Sequence, residues 1–378
     1  MRRHLPADFE AATLVGRLAL DEGPTPVVVR RGRVFDVSRA APTTADLLSL
    51  ADPAGAEGRD LGLLEDMGLE AAWTATRQTP RLLSPLDLQC VKAAGVTFAV
   101  SAVERVIEER AGGDAGRAQA IRESLRERVG ADLRSVTPGS KASAKLKSVL
   151  IADGLWSQYL EVAIGPDAEI FTKAPAMSSV GWGDYVGVRA DSAWNNPEPE
   201  VVLVCDATGA VRGAALGNDV NLRDLEGRSA LLLGKAKDNN AACAVGPFIR
   251  LFDEAFGLDD VRAAVVKLEV EGEDNFRLEG ASSMSQISRD PLDLVAQTIG
   301  ANHQYPDGFA LFLGTMFAPI EDRDAAGQGF THKPGDLVRI SSERLGVLEN
   351  KVVTCAEAPP WRFGLSALMR NLAARELI

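Results

Sequence analysis

The sequence predicts an α+β protein whose core is a mixed sheet. From residue 160 onward, short β-rich runs are separated mostly by Gly, Pro, Asn or Asp, as in sheets with tight turns. Upstream, residues 97–150 are charged and follow helical spacing. Because regular alternation of strands and helices is absent, we expect a mixed or antiparallel sheet that closes on itself, and not a doubly wound fold.

Near the N-terminus, the pattern indicates a hairpin followed by a helix. Within residues 26–37, two β-rich runs flank Arg31-Gly32, as expected for a tight turn between strands. Thr43 or Thr44 then offers an N-cap in front of apolar positions at helical spacing. These elements predict a small N-terminal α+β unit.

Proline punctuation marks the end of this unit. Pro80 and the Ser84-Pro85 pair interrupt the pattern. We therefore expect a small N-terminal domain over residues 1–84 and a catalytic domain over residues 85–378.

The charged helical stretch is expected to cover a site rather than to form the core. Its first helix should end at Gly112-Gly113, because glycine favours the left-handed conformation that terminates helices. Further helices are expected over residues 115–129 and 141–153. Since the whole segment is polar, we interpret residues 97–155 as a helical lid.

Composition narrows the class of protein. The chain has 378 residues and a formal net charge of -12, which disfavours nucleic acids and anionic membranes as partners. An anionic substrate would need a local positive centre, which a bound divalent cation supplies. The basic start lacks a long apolar region, and no run approaches the roughly 18 apolar residues of a membrane span. We therefore expect a cytoplasmic protein.

The cysteines are widely spaced and form no C-x-x-C pair. This spacing disfavours disulfides and thiolate zinc sites and favours free thiols in a reducing compartment. The four residues are Cys90, Cys205, Cys243 and Cys355.

The densest acidic signal lies at the start of an apolar strand. Glu198 and Glu200 are two residues apart, so an extended chain places both carboxylates on one face. The strand turns at residues 206–209 and returns to Asp219. We expect this hairpin to bring Asp219 back towards the two glutamates.

Three converging carboxylates would repel one another unless a cation lay between them. Such a hard oxygen site favours Mg²⁺ or Mn²⁺ over zinc and leaves coordination positions for water and substrate. The alternative is a solvated acidic strand edge, since charged runs are usually on the surface.

The order of several motifs resembles the fumarylacetoacetate hydrolase superfamily. An E-P-E motif is followed by G-N-D-V-x-x-R-D, and then by K-D with G-P downstream. The resemblance covers roughly residues 90–352, with weaker similarity towards the N-terminus. The other matching segments are Phe171-Thr172-Lys173, Ser179-Val180-Gly181, Leu313-Gly314-Thr315, Pro334-Gly335-Asp336 and the run at 345–350.

The resemblance implies a fold and a set of roles. The fold would be a mixed β-roll core, and family members form homodimers, homotetramers or other assemblies. Glu198, Glu200 and Asp219 match the ligands of a bound Mg²⁺, which Mn²⁺ or Ca²⁺ could replace. Lys237 matches a lysine beside the metal. Thr315 matches a threonine that contacts the substrate carboxylate.

Further residues fall on or beside these motifs. Lys173 and Ser179 are expected to contact the substrate, although Lys173 could instead be a surface lysine paired to an acid. Arg223 and Asp224 are expected to form a structural pair that braces the loop of Asp219, as residues around metal ligands often do.

The lid sequence bears on the reaction. Hydrolases and decarboxylases of this superfamily often carry N-Y-x-x-H-x-x-E there, with a histidine that activates water. In this chain Ser101 stands at the histidine position and Glu104 remains. A serine hydroxyl is a poor general base near neutral pH. Ser101 is therefore expected to contact substrate, or only to begin a helix.

The departure points to the sugar-acid dehydratase branch. The expected enzyme is a Mg²⁺-dependent hydro-lyase that converts a 2-keto-3-deoxy-pentonate, best matched by the D-xylonate form, to 2,5-dioxopentanoate in oxidative pentose catabolism. Glu169 matches an active-site glutamate of that branch and is expected to be the acid/base. Lys237 would stabilise charge or act as a second base, and the two roles could be exchanged.

Two alternatives stay open. One is another reaction of the superfamily, acylpyruvate hydrolysis or oxaloacetate decarboxylation, against which the missing lid histidine argues. The other is an inactive metal-binding scaffold protein, which the presence of the complete triad and Lys237 disfavours.

Overall fold

A computed structural model shows an α+β fold with mixed sheets, as predicted. Among the residues it describes, the longest sheet has 11 strands, and further sheets have five and two. The described residues are 1–77, 79–119, 121, 136–152, 154, 156–317, 319, 321–326 and 328–378.

The strands are numbered in chain order. They are β1 (Leu14–Leu20), β2 (Gly23–Arg30), β3 (Arg33–Asp36), β4 (Arg59–Leu63), β5 (Arg81–Leu83), β6 (Cys90–Gly95), β7 (Glu169–Ala174), β8 (Tyr185–Val188), β9 (Asn195–Asn196), β10 (Pro199–Cys205), β11 (Val211–Asp219), β12 (Asn221–Leu222), β13 (Cys243–Leu251), β14 (Val265–Glu271), β15 (Arg277–Ser283), β16 (Phe309–Phe312), β17 (Leu337–Ser342) and β18 (Gly346–Thr354).

The helices within the described residues follow the same convention. They are α1 (Thr44–Ser49), α2 (Ala99–Ala111), α3 (Lys141–Ala152), α4 (Gln158–Ile164), α5 (Arg223–Glu226), α6 (Leu233–Lys237), α7 (Leu258–Ala263), α8 (Pro291–Thr298) and α9 (Leu365–Ala374), with 3-10 turns at Arg2–His4, Leu64–Met67, Ala230–Leu232 and Met284–Gln286.

The long sheet joins the N-terminal strands to the central ones. Its order is β4-β3-β2-β1-β13-β11-β10-β16-β6-β7, and β5 pairs with β1. The junction is the antiparallel pair of β1 and β13, where Leu14 lies opposite Arg250. The N-terminal strands thus extend the central sheet, and the division at residue 84 stays a prediction.

The second sheet has the order β15-β14-β17-β18-β8, and β12 pairs separately with β9. Most pairs are antiparallel, but β16 runs parallel to β6, and β18 runs parallel to β8. This combination accounts for the short apolar runs, because antiparallel neighbours need only tight turns.

Strand β10 lies at the centre of the core. Val201 and Leu203 belong to one buried apolar cluster, whereas Val202 and Val204 belong to another. Since successive side chains of a strand point to opposite faces, β10 is covered on both faces. A strand buried in this way gives a rigid support for whatever its first residues carry.

The predicted hairpin and helix start near the N-terminus are confirmed. Arg31 and Gly32 adopt φ values of 50° and 73° in the turn between β2 and β3, as a two-residue hairpin turn requires. Thr43 caps α1 by accepting a hydrogen bond from Asp46 N, and the Asp46 side chain accepts from Thr43 N in return.

The lid helices form a small core of their own. The first helix, α2, ends before Gly112, whose φ is 65°. The third expected helix is confirmed as α3, and the one over 115–129 falls largely outside the described residues. Val106 and Ile107 of α2 pack in one apolar cluster with Leu160 of α4. Among the described residues, no helix combines the length and apolar character needed to cross a membrane.

Replacement of Gly217 by alanine tests the close packing of β11 against β10. An added Cβ would lie 2.2 Å from Phe312 Cε1 and 2.6 Å from Val202 Cγ2. We expect Gly217→Ala to lower the free energy of unfolding by roughly 1–3 kcal/mol, the usual cost of overpacking, in urea denaturation.

Gly234→Ala is the matched control. Among the described residues, no atom lies within 4 Å of a Cβ added to this helical glycine. The control should be neutral or stabilising by up to about 1 kcal/mol. Equal stability of the two variants would contradict the packing described for the hairpin.

Candidate metal centre and active-site pocket

The hairpin of β10 and β11 brings the three predicted carboxylates together. Glu200 lies opposite Gly217 in the register, and Asp219 N donates to Glu198 O at 3.1 Å. As a result, carboxylate oxygens of Glu198, Glu200 and Asp219 all lie within 4.8 Å of one another, and all three residues are buried. The predicted return of Asp219 towards the glutamates is confirmed.

The donor set fits a divalent cation. Burial raises the pKa of Glu200 well above its ordinary value, and the negative charges of Asp219 and Glu198 raise it further. One Glu200 oxygen accepts a hydrogen bond from Gly314 N at 2.6 Å, so the carboxylate is held in place. Three oriented oxygen donors that destabilise each other's charge form a site of the kind that Mg²⁺ prefers.

Two lysines partly neutralise the triad. The ammonium of Lys237 contacts Glu198 and lies 3.0 Å from Asp219 Oδ2. Burial alone would lower the pKa of Lys237, but the charges of Asp219 and Glu198 raise it above its ordinary value. Lys237 is therefore a fixed positive charge beside the carboxylates.

Lys173 lies deeper, with a fully buried side chain. Its Nζ is 2.7 Å from Asp219 Oδ1 and donates to the carbonyl oxygens of Val220 and Lys237 at 2.9 and 2.6 Å. All three contacts are to protein, so Lys173 fixes Asp219 and the segment that carries Lys237. It is not a surface lysine.

These side chains open onto a narrow cavity of about 40 Å³. Among the described residues, seven carboxyl groups and three basic groups line it, and this excess of negative charge favours a cation. The charged lining residues are Glu104, Glu108, Glu169, Glu198, Glu200, Asp219 and Glu226, with Arg105, Arg223 and Lys237.

Glu169 reaches this cavity from the start of β7. Its partner in the register on β6 is Gly95, where an added Cβ would lie 2.1 Å from Glu169 Oε2. The glycine thus leaves room for the carboxyl group. Burial, together with the nearby charge of Glu226, raises the pKa of Glu169 to about 7. A carboxyl group with this pKa can both accept and donate a proton near neutral pH.

Ser101 and Thr315 also line the cavity. Ser101 lies in the first turn of α2, where its hydroxyl donates to Phe98 O at 2.8 Å. Thr315 Oγ1 accepts a hydrogen bond from Phe317 N at 3.1 Å. Both positions are compatible with substrate contact, which stays a prediction.

The structure does not bring Ser179 to this cavity. Its hydroxyl lies 2.7 Å from that of Ser84, and the residue lines a separate groove beside Trp361 and Phe363. The sequence motif placed Ser179 near the other residues only by family resemblance.

Arg223 and Asp224 support the site, but they pair with different groups. Arg223 is buried, and its Nε donates to Glu108 Oε1 at 2.7 Å while the guanidinium stacks 4.3 Å from the Trp194 ring centre. Asp224 accepts a hydrogen bond from Ser192 Oγ at 2.8 Å. The expected mutual pair is thus replaced, within the described chain, by two contacts that diverge from adjacent positions.

The sequence did not single out Arg105, Glu108 or Glu226. The Arg105 guanidinium joins three elements, with contacts of 2.7 Å to Glu198, 2.6 Å to Glu226 and 2.7 Å to Glu108. The available signal was the four-residue spacing of Glu104 and Glu108, which places two acids on one helix face. Arg105 ties the lid directly to a predicted metal ligand.

Comparison with known proteins agrees with this geometry. Residues 169–353 match the family model described as the fumarylacetoacetate hydrolase C-terminal domain. The chain therefore contains a domain of the fumarylacetoacetate hydrolase superfamily, as its motifs indicated.

Two curated relatives are similar at the level of sequence. A 2-dehydro-3-deoxy-D-arabinonate dehydratase of Saccharolobus solfataricus is 33% identical over 48% of this chain. A probable 2-keto-3-deoxyxylonate dehydratase of Haloferax volcanii is 31% identical over 52% of this chain. The matched regions span 57% and 64% of the length of these relatives.

Solved structures show the same fold over more of the chain. A 2-keto-3-deoxy-D-arabinonate dehydratase in its apo form aligns with a TM-score of 0.65 at 22% identity, covering 90% of this chain and 99% of the other. A structure of 2-keto-3-deoxy-D-arabinonate dehydratase complexed with magnesium and 2,5-dioxopentanoate gives 0.64 at 22% identity, with the same coverage. The α+β fold with mixed sheets is thus shared almost end to end.

The raised pKa of Glu169 predicts a pH-dependent effect on stability. The folded-state pKa of about 7 exceeds the ordinary value of 4.5, so between these pH values the folded chain binds a proton that the unfolded chain has lost. Rising pH therefore destabilises the folded protein across this window. Glu169→Gln removes the effect, and its stability relative to the natural protein should rise by up to about 3 kcal/mol.

The measurement is urea denaturation of both proteins in EDTA at pH 5, 6, 7 and 8. The difference in free energy of unfolding should grow from pH 5 to 7 and then level off. A difference that is constant over the whole range, or that shrinks, would contradict the raised pKa.

Proposed function

We propose that this protein is a Mg²⁺-dependent hydro-lyase that converts 2-keto-3-deoxy-D-xylonate to 2,5-dioxopentanoate in oxidative pentose catabolism. The observation that carries the proposal is the presence, in one buried pocket, of the Glu198–Glu200–Asp219 triad and the proton-exchanging Glu169. The dehydratase names of two relatives and the ligands of one similar structure support this choice.

The triad would hold Mg²⁺, which supplies electrophilic activation of the 2-oxo group and so makes the hydrogens at C3 more acidic. Glu169 takes a proton from C3 as the C4–O bond breaks, and returns a proton to the departing hydroxyl. Water leaves and a double bond forms between C3 and C4. Transfer of a proton from C5 to C3 then yields the C5 enol, which tautomerises to the aldehyde.

Lys237 stabilises the negative charge that develops on the substrate oxygen, because its ammonium is already held beside two triad carboxylates. Lys173 keeps Asp219 oriented from behind. Ser101 and Thr315, which face the same cavity, bind the substrate. Helix α2 excludes bulk water, and Arg105 fastens it to Glu198.

We also propose that the chain forms a homodimer or homotetramer. Trp361, Leu365 and Met369 lie in or just before α9 with 47%, 50% and 63% of their surface exposed. Large apolar side chains exposed near one another favour a protein interface.

The test is a comparison of substrates under identical conditions. We expect the protein with Mg²⁺ to release 2,5-dioxopentanoate from 2-keto-3-deoxy-D-xylonate, identified by mass, and to lose this activity in EDTA. Stereoisomeric 2-keto-3-deoxy-pentonates, an acylpyruvate and oxaloacetate complete the panel. Glu169→Gln should keep substrate binding and lose kcat by roughly 10²-fold or more.

Cleavage of the acylpyruvate or decarboxylation of oxaloacetate, with no dehydration of any sugar acid, would overturn the proposed reaction. Full activity in EDTA would remove the metal from it. No reaction with any substrate would favour an inactive metal-binding scaffold.

A further inference from the structure

A buried amide beside the triad has an unused hydrogen-bond acceptor. Asn196 is 2% exposed, and it lines the same cavity as Glu198 and Glu200. Its Nδ2 donates to Pro197 O at 2.9 Å, whereas its Oδ1 is buried and has no hydrogen-bond partner among the described residues. Buried polar atoms are nearly always paired, so this oxygen is suited to a donor that enters the cavity.

The position of Asn196 in the chain explains why it faces the cavity. Asn196, Glu198 and Glu200 are spaced two residues apart along an extended segment, and this period places their side chains on one face. All three line the pocket. Two residues of extended chain span about 7 Å, which is comparable to the length of a five-carbon acid.

We propose that Asn196 Oδ1 accepts a hydrogen bond from the terminal hydroxyl of the substrate, and so selects 2-oxo acids that carry a hydroxyl group at C5. This inference rests on the proposed function, because that function places the 2-oxo acid end of the substrate at the triad. An amide oxygen only accepts hydrogen bonds, so a C5 methyl group gives it no partner.

The same contact bears on product release. In 2,5-dioxopentanoate the C5 hydroxyl has become an aldehyde, which has no O–H to donate. Asn196 Oδ1 therefore binds the substrate and loses its partner when the product forms. The residue is a specificity determinant that contacts the substrate rather than a proton-transfer group.

Asn221 provides a matched control. It lies opposite Asn196 in the β9–β12 pair, and it is 0% exposed. Its Nδ2 and Oδ1 are also without hydrogen-bond partners among the described residues, but it is not one of the residues that line the cavity. A purely structural role for buried amides in this pair would affect both positions alike.

The experiment measures binding by isothermal titration calorimetry in saturating Mg²⁺. The ligands are 5-hydroxy-2-oxopentanoate and 2-oxopentanoate, which differ only in the C5 hydroxyl and lack the C4 hydroxyl that dehydration removes. The proteins are the natural chain, Asn196→Ala and Asn221→Ala. We expect the natural chain and Asn221→Ala to bind the hydroxylated ligand about tenfold more tightly or better, and Asn196→Ala to bind the two ligands equally.

Retention of the preference in Asn196→Ala, or its absence in the natural chain, would overturn the inference. Loss of the preference in both variants would also overturn it, because the effect would then belong to the strand pair and not to Asn196. A natural chain that shows the expected preference but dehydrates no sugar acid would refute the proposed reaction while supporting the role of Asn196.

Discussion

The mutual repulsion of three buried carboxylates is the constraint on which the rest of the site depends. Glu198, Glu200 and Asp219 are withdrawn from water and have oxygens within 4.8 Å of one another. Burial and like charge both disfavour their ionised forms. Positive charge must therefore be supplied from close by, and the neighbouring residues are arranged to supply part of it.

Each basic group at the site comes from a different part of the chain and also fixes an element in place. Lys173 joins β7 to Asp219, Lys237 joins α6 to two triad members, and Arg105 joins α2 to Glu198. The lid and the central hairpin are consequently held by the same charges that the metal would use. The lining remains acid-rich, which leaves the site suited to a divalent cation.

The sequence predicted those parts of the site that depend on local geometry. The period of two placed Glu198 and Glu200 on one face, and a tight turn followed by a strand of similar length returned Asp219 to them. The hairpin at Arg31-Gly32 and the Thr43 cap were predictable for the same reason, since turns and caps depend on a few neighbouring residues.

The rest depended on contacts between distant segments. Arg105 and Glu198 are 93 residues apart, and no local pattern shows that a lid arginine meets a metal ligand. Lys173 is buried only because β7 packs behind Asp219. Ser179 followed the family motif, yet it lies beside Ser84 in another groove, because neighbouring motifs in sequence need not share a cavity.

Anomalous diffraction from crystals soaked in Mn²⁺ tests the central claim most directly, because it locates the cation without any assumption about substrate. We predict one strong peak per chain, about 2.0–2.6 Å from oxygens of Glu198, Glu200 and Asp219, and no peak there in Asp219→Asn. A peak elsewhere, or the absence of a peak at saturating Mn²⁺, would contradict the account of the triad as a metal centre.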